Sequence, residues 1–157
     1  MPGAGKSTIG VLLAKSLGYN FVDTDLLIQV HARRTLPTII AEDGYKTLRS
    51  IEATVISALR SSNTVIATGG SAVYSEASMQ RLAQLGEIVY LRARRATLQQ
   101  RIGDFRARGI AAAPATTLDQ LMAERTPLYE RYATHTVDAD QHSELVMQRV
   151  IAVLHKS

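Results

Sequence analysis

The run Gly3-Ala4-Gly5-Lys6-Ser7-Thr8 limits what this chain can fold into more than any other feature. It matches the second half of the phosphate-loop pattern G-x-x-x-x-G-K-[ST]. Helical spacing follows at once, with Ile9, Leu12, Leu13 and Ser16 on one stripe between Lys6 and Leu17, and Gly18 as the stop. A loop of small residues opening a helix aims several backbone N–H groups and the positive end of the helix dipole at one anionic spot. Gly3, Ala4, Gly5, Lys6, Ser7 and Thr8 are therefore the candidate cradle for the phosphates of ATP. Lys6 would bring a mobile charge to the β- and γ-phosphates, and the Ser7 hydroxyl a ligand for Mg²⁺. A plain glycine turn before an amphipathic helix would not require Lys6, Ser7 and Thr8 in register.

A phosphate loop follows a buried strand, and the pattern's first glycine belongs one position ahead of Met1. In doubly wound sheets that strand runs through the middle, so its loss leaves flanking strands unpaired. The reading frame is expected to continue upstream, with a glycine and a β-branched strand of about five or six residues. Residues 1–157 would then be one P-loop domain whose first strand is absent from this chain.

Helical and strand-like pieces alternate without repeat or linker, which predicts an α/β fold: a parallel sheet covered by helices on both faces. Strands are expected at Asn20–Asp23, Thr64–Thr68, Glu87–Leu91 and Thr136–Asp138, with Thr64–Thr68 buried on both faces. Helices are expected at Asp25–Ala32, Tyr45–Ser61, Glu76–Leu85, Ala96–Ile102 and Leu118–Tyr132. A last helix is capped by Ser143, with Leu145, Val146, Val150, Ile151 and Leu154 toward the core. Gly103–Ala115 has no apolar period and reads as a mobile excursion over the surface.

Asp23-Thr24-Asp25 stands at the carboxyl end of a strand, where ligands meet an α/β sheet. One aspartate could hold the hydration shell of Mg²⁺ and the other receive or orient a substrate hydroxyl. Either could instead merely cap the following helix, Asp25 being the better placed. Arg49 and Glu52, three apart on a helix, could form a local ion pair. Gly69-Gly70 after a buried strand allows either a turn or close approach of a ligand to the backbone. Arg125-Thr126-Pro127 sets a proline inside a helical pattern beside an arginine.

Together and in this order, these motifs resemble the shikimate kinase family: GAGKST, DTD, the G-x-x-x-x-R-x-x-E of Gly44 to Glu52, ATGG at Ala67 to Gly70, and ERTPLYERYA at Glu124 to Ala133. The resemblance runs from Met1 to the last helix and implies a nucleoside-monophosphate-kinase-like P-loop fold with a lid at about residues 103–116. It implies transfer of the γ-phosphoryl group of ATP to the 3-hydroxyl of shikimate. Asp25 matches the candidate base, Arg49 and Arg125 the arginines that clamp the acceptor carboxylate, and Gly69 and Gly70 the glycines that line the pocket. Asp23, with Ser7, is assigned to the metal. Where the family usually has Gly-Glu and Phe-Arg, this chain has Gly44-Tyr45 and Leu48-Arg49, and a third glycine is replaced by Ser71. The family's lid opens Arg-Pro-Leu, whereas here it reads Phe105-Arg106-Ala107-Arg108-Gly109. Arg106 is the first choice for the catalytic lid arginine and Arg108 the second. The rivals are a kinase of another hydroxylated acid such as gluconate, and a nucleotide-binding module without transfer activity.

Charge is consistent with a small anionic substrate. The net charge of +4 comes from 14 Arg and 4 Lys, and six of the arginines lie between Arg92 and Arg108. That segment holds only Phe105 as an aromatic, without the stacking pattern of single-strand readers, so nucleic acid is not expected as a partner. With no cysteine, thiol catalysis and Cys-ligated zinc are excluded. No apolar stretch reaches the roughly 20 residues a membrane helix needs, and no export signal opens the chain. The expectation is a cytoplasmic monomer acting on a small molecule.

Overall fold

The computed structural model describes residues 1–103 and 109–155. Helix α1 (Lys6–Leu17) leads to strand β1 (Asn20–Asp23) and helix α2 (Thr24–Ala32). Helices α3 (Leu36–Asp43) and α4 (Tyr45–Ala58) precede strand β2 (Thr64–Ala67). A 3-10 turn (Ala72–Tyr74) and α5 (Glu76–Leu85) lead to β3 (Val89–Arg92) and α6 (Arg95–Ile102). The chain ends with α7 (Leu118–Tyr132), β4 (His135–Asp138) and α8 (Ser143–Leu154). All strand pairing is parallel, in two halves: β1 beside β2 with Phe21 opposite Val65, and β3 beside β4 with Leu91 opposite Val137.

Helix α1 packs on β2 and on α8, and α2 and α3 pack on α4. One core joins Ile9 and Leu13 of α1 to Leu91, Leu98, Leu121, Val137, Val146 and Val150. A second lies under α2 to α4 (Ile28, Leu36, Ile39, Leu48, Val55), and a third under α5 (Ile56, Val73, Met79, Leu82). Among the described residues no helix is long and apolar enough to cross a membrane.

Several expectations are corrected. Helix α3 occupies a stretch for which no element was expected; its start is marked by Thr35, whose hydroxyl caps Thr38 N–H, and by Pro37 in the first turn. Helix α4 stops at Ala58 rather than Ser61, and strand β3 begins at Val89 rather than Glu87. Helix α8 is preceded by His142 at the cap position, with Ser143 already inside, and Leu145 is 41% exposed rather than core-facing. Strand β2 is half-buried at Thr64, Val65 and Ile66, not enclosed on both faces. Helix α7, by contrast, has the expected bounds Leu118–Tyr132 and runs through Pro127. The excursion is no loose surface loop at its far end: Gly109 lies against Leu36 and Pro37, and Ala111 is buried in the core of α2 to α4.

Candidate active site

The elements converge on a cavity of about 510 Å³ lined by Gly3, Lys6, Asp25, Glu52, Gly69 and Arg125, among others. At the end formed by the glycine loop, Gly3 (φ 75°) and Gly5 (φ 91°) adopt left-handed backbone that L side chains resist. Gly5 stands at the cap position of α1, so no side chain competes for the first N–H groups of the helix, which stay available to an anion. Lys6 Nζ donates to the carbonyl of Met1 at 2.8 Å. Burial of this ammonium lowers its pKa; Asp25 opposes that shift and Arg125 adds to it.

Ser7 Oγ donates to Asp23 Oδ2 at 2.6 Å, joining α1 to the end of β1. Asp23, not Asp25, caps α2: its Oδ1 accepts from Asp25 N–H at 2.9 Å. Asp25 therefore sits inside the first turn with its carboxylate free to face the cavity that it lines. Burial, then the charge of Asp23, raises its pKa, and Lys6 opposes them.

The opposite end is cationic. Arg125 is only 1% exposed, the largest fully buried side chain described. Its Nη2 donates to the carbonyl of Ala111 at 2.8 Å and its Nε to the Tyr74 phenol oxygen at 3.1 Å. Arg49 donates to the same Ala111 carbonyl from Nη2 at 3.0 Å, and its guanidinium lies 3.7 Å from the Tyr74 ring centroid. The alternative of a local pair between Arg49 and Glu52 is not realised, and among the described residues neither arginine has an ion-pair partner. Two guanidinium groups sharing one neutral carbonyl oxygen make a site in which a carboxylate would be better held.

Glu52 turns instead to the glycine segment. Its Oε2 accepts from Ser71 Oγ at 2.5 Å, and its buried Oε1 has no hydrogen-bond partner among the described residues. Burial raises its pKa to about 7, against the Ser71 hydrogen bond. Gly69 is required here: an added Cβ would stand 2.2 Å from Glu52 Oε1 and 2.9 Å from Asp25 Oδ1. At Gly70 a Cβ would stand 2.9 Å from Arg125 Nη1, and the Gly70 carbonyl accepts from Tyr129 Oη at 2.7 Å.

The cavity thus gathers Gly3, Gly5, Lys6, Ser7, Thr8, Asp25, Gly69, Gly70 and Arg125. Arg49 meets Arg125 through Ala111, Asp23 reaches the loop through Ser7, and Ala4 is fully buried behind it. Arg106 and Arg108 lie outside the described residues. Sequence reasoning missed Tyr74, which carries no periodic or motif signal beyond its place shortly after Gly69-Gly70. It also missed the Ala111 carbonyl, a backbone group for which no side-chain pattern could speak.

Comparison with known proteins agrees. The family model described as Shikimate kinase matches residues 2–155. The chain is 35% identical over 157 residues to shikimate kinase 2 of Yersinia enterocolitica serotype O:8 / biotype 1B, covering 97% of this chain and 90% of that one. Shikimate kinase 2 of Enterobacter sp. strain 638 is 35% identical with the same coverage. The fold superposes on shikimate kinase from Acinetobacter baumannii in complex with shikimate with a TM-score of 0.88 and 29% identity, covering 99% of this chain and 89% of that one. The Aquifex aeolicus shikimate kinase gives a TM-score of 0.83 at 27% identity, covering 97% and 90%. With a phosphate loop at one end of the cavity, at the other an arginine pair that has no ion-pair partner among the described residues, and a match along nearly its whole length, this chain belongs to the shikimate kinase family.

Proposed function

We propose that this chain phosphorylates the 3-hydroxyl of shikimate with ATP. The observation that carries the acceptor assignment is the convergence of Arg49 and Arg125, without any acidic partner among the described residues, on a single oxygen. Support also comes from its family membership and from the similar Acinetobacter baumannii shikimate kinase, which was solved with shikimate bound.

In this reading the N–H groups around Gly3 to Thr8 hold the phosphates and Lys6 follows the charge of the transferring group. Asp25 orients the acceptor hydroxyl and takes its proton, while Arg49 and Arg125 fix the carboxylate. The acceptor oxygen forms a bond to the γ-phosphorus as the bond from that phosphorus to the β,γ-bridging oxygen breaks, leaving ADP and the 3-phosphate. Ser7 Oγ and Asp23 Oδ2, 2.6 Å apart, are an oxygen donor set suited to Mg²⁺, one directly and one through the hydration shell. Bound there, the ion would neutralise charge on the β- and γ-phosphates. Arg106, with Arg108 as second choice, is proposed as the lid cation over the phosphates.

The test is an ADP-release assay with shikimate, quinate and gluconate offered in parallel. Turnover that depends on shikimate is expected. A preference for gluconate would overturn the acceptor, and ATP binding without turnover on any acceptor would overturn the enzyme reading.

A further inference from the structure

Two residues that depart from the family pattern have no part in the reaction as proposed: Tyr45, where the family usually has Glu, and Ser71, where it has a third glycine. Both bear on the surroundings of Arg49. Helix α4 carries Tyr45, Arg49 and Glu52 at positions i, i+4 and i+7, which share one face. Long helical side chains lean back toward the N-terminus, over the residues three and four earlier. Arg49 accordingly leans over Tyr45, its guanidinium carbon 5.0 Å from that ring centroid and 3.7 Å from the centroid of Tyr74. Neither ring takes one of its N–H groups as a hydrogen-bond acceptor. The Nε–Nη2 edge therefore stays whole, and both atoms donate to the Ala111 carbonyl, at 3.2 and 3.0 Å.

The same lean would carry Glu52 back over Arg49, three residues earlier. A carboxylate there would occupy the edge that an acceptor carboxylate needs. Glu52 is drawn aside instead: its Oε2 accepts from Ser71 Oγ at 2.5 Å, in a pair whose members are 3% and 7% exposed. Among the described residues no other donor meets either of its carboxyl oxygens. A glycine at position 71 has no hydroxyl to give, so the direction of Glu52 depends on the serine. An arginine relieved of its acidic neighbour still gains from a partner for its charge, and an aromatic face is one that leaves the N–H groups free.

We infer that Ser71 and Tyr45 are positioning residues for the acceptor: Ser71 keeps the Glu52 carboxyl off Arg49, and Tyr45, with Tyr74, holds that guanidinium so that its Nε–Nη2 fork meets a planar carboxylate side-on. The inference rests on the proposed reading of the acceptor as a carboxylate. Neither residue touches the reacting atoms, and both act through Arg49.

Steady-state kinetics test it, at about pH 8, where Glu52 is mostly ionised. Ser71→Ala is expected to raise KM for shikimate about ten-fold or more, with kcat and KM for ATP unchanged. Ser71→Gly should behave alike and serves if the alanine variant does not fold. Adding Glu52→Gln to Ser71→Ala should return KM to within about two-fold of the parent, because an amide makes no ion pair with Arg49. Packing lost with the hydroxyl stays lost in the double variant and lowers Tm in both, so recovery of KM separates positioning from stability. Tyr45→Leu should raise KM about two- to five-fold, and Tyr45→Phe, which keeps the ring, should match the parent. A parental KM in the Ser71 variants, a double variant as impaired as the single one, or a Tyr45→Leu enzyme like the parent would overturn the inference.

A further readout needs no turnover: the Arg49 Nε–H signal in heteronuclear NMR, assigned by its loss in Arg49→Lys. It should move downfield in Ser71→Ala, as a carboxylate replaces a neutral carbonyl, and return in the double variant. An unmoved signal overturns the inference. A signal that moves as expected in a protein that turns over no carboxylate acceptor supports the arrangement of Ser71, Glu52 and Arg49 and overturns the acceptor reading alone.

Discussion

Arg49 and Arg125 share one acceptor: both guanidinium groups donate to the carbonyl oxygen of Ala111, at 3.0 and 2.8 Å. That oxygen belongs to Ala111, which is buried in the core of α2 to α4, and in the proposed reading the acceptor carboxylate would take its place.

Replacing either arginine by lysine keeps the charge and loses the fork. The expected result is a KM for shikimate raised roughly ten- to a hundred-fold, about 1.5–3 kcal/mol for a charge-assisted bond, with KM for ATP unchanged. Initial rates at varied shikimate and fixed ATP measure it; an Arg125→Lys enzyme indistinguishable from the parent would remove the carboxylate clamp from the mechanism.

Tyr74 holds both arginines, by its ring face for Arg49 and its phenol oxygen for Arg125. Tyr74→Phe should disturb Arg125 alone and raise the acceptor KM a few-fold, on the scale of about 1 kcal/mol for one hydrogen bond. Tyr74→Leu should do more, since it also removes the cation–π contact. Equal effects of the two would mean that the ring is not used.

Lys6→Ala should abolish most turnover, because the phosphates lose their mobile cation in the transition state. Asp25→Asn should lower kcat while ATP binding, followed by titration calorimetry, stays nearly intact. Loss of nucleotide binding in Asp25→Asn would instead put that carboxylate on the metal side with Asp23.

Glu52 links stability to pH. Its folded pKa of about 7 lies above its ordinary value of 4.5, so between those pH values the unfolded chain has released a proton that the folded chain keeps. Stability contributed by the neutral carboxyl is full below about pH 4.5 and falls as pH rises through about 7, by on the order of 3 kcal/mol. Denaturant titrations at pH 5 and pH 8, roughly the two sides of this window, should show that fall in the parent and a much smaller one in Glu52→Gln. Identical pH slopes would assign the proton elsewhere.

Gly69→Ala should be severe, since its Cβ would collide with buried Glu52 and with Asp25. A loss of about 1–3 kcal/mol in stability is the usual scale of such overpacking, accompanied by a fall in kcat from the displaced Asp25. Thermal unfolding and steady-state kinetics on the same preparation would separate the two, and a fully active variant would refute the close approach.

Local chemistry was legible in the order of residues. The phosphate loop could be read because Gly3, Gly5, Lys6 and Ser7 act within one turn of chain, where spacing is geometry. Parallel strands and most helices could be read for the same reason: hydrophobic period is a local record of which face is buried. Other facts needed the folded chain. Which aspartate caps α2 was settled by where the helix starts: it begins at Thr24, so Asp23 is the cap and its Oδ1 accepts from Asp25 N–H, while its Oδ2 is held by Ser7 of α1. Glu52 chose Ser71 over Arg49 because packing brings the glycine segment against α4, and a buried carboxyl takes the nearest donor. The meeting of Arg49, Tyr74, Ala111 and Arg125 was not encoded by any local pattern. It arises from four separate segments, one contributing only a backbone oxygen, and only tertiary folding sets where such groups point.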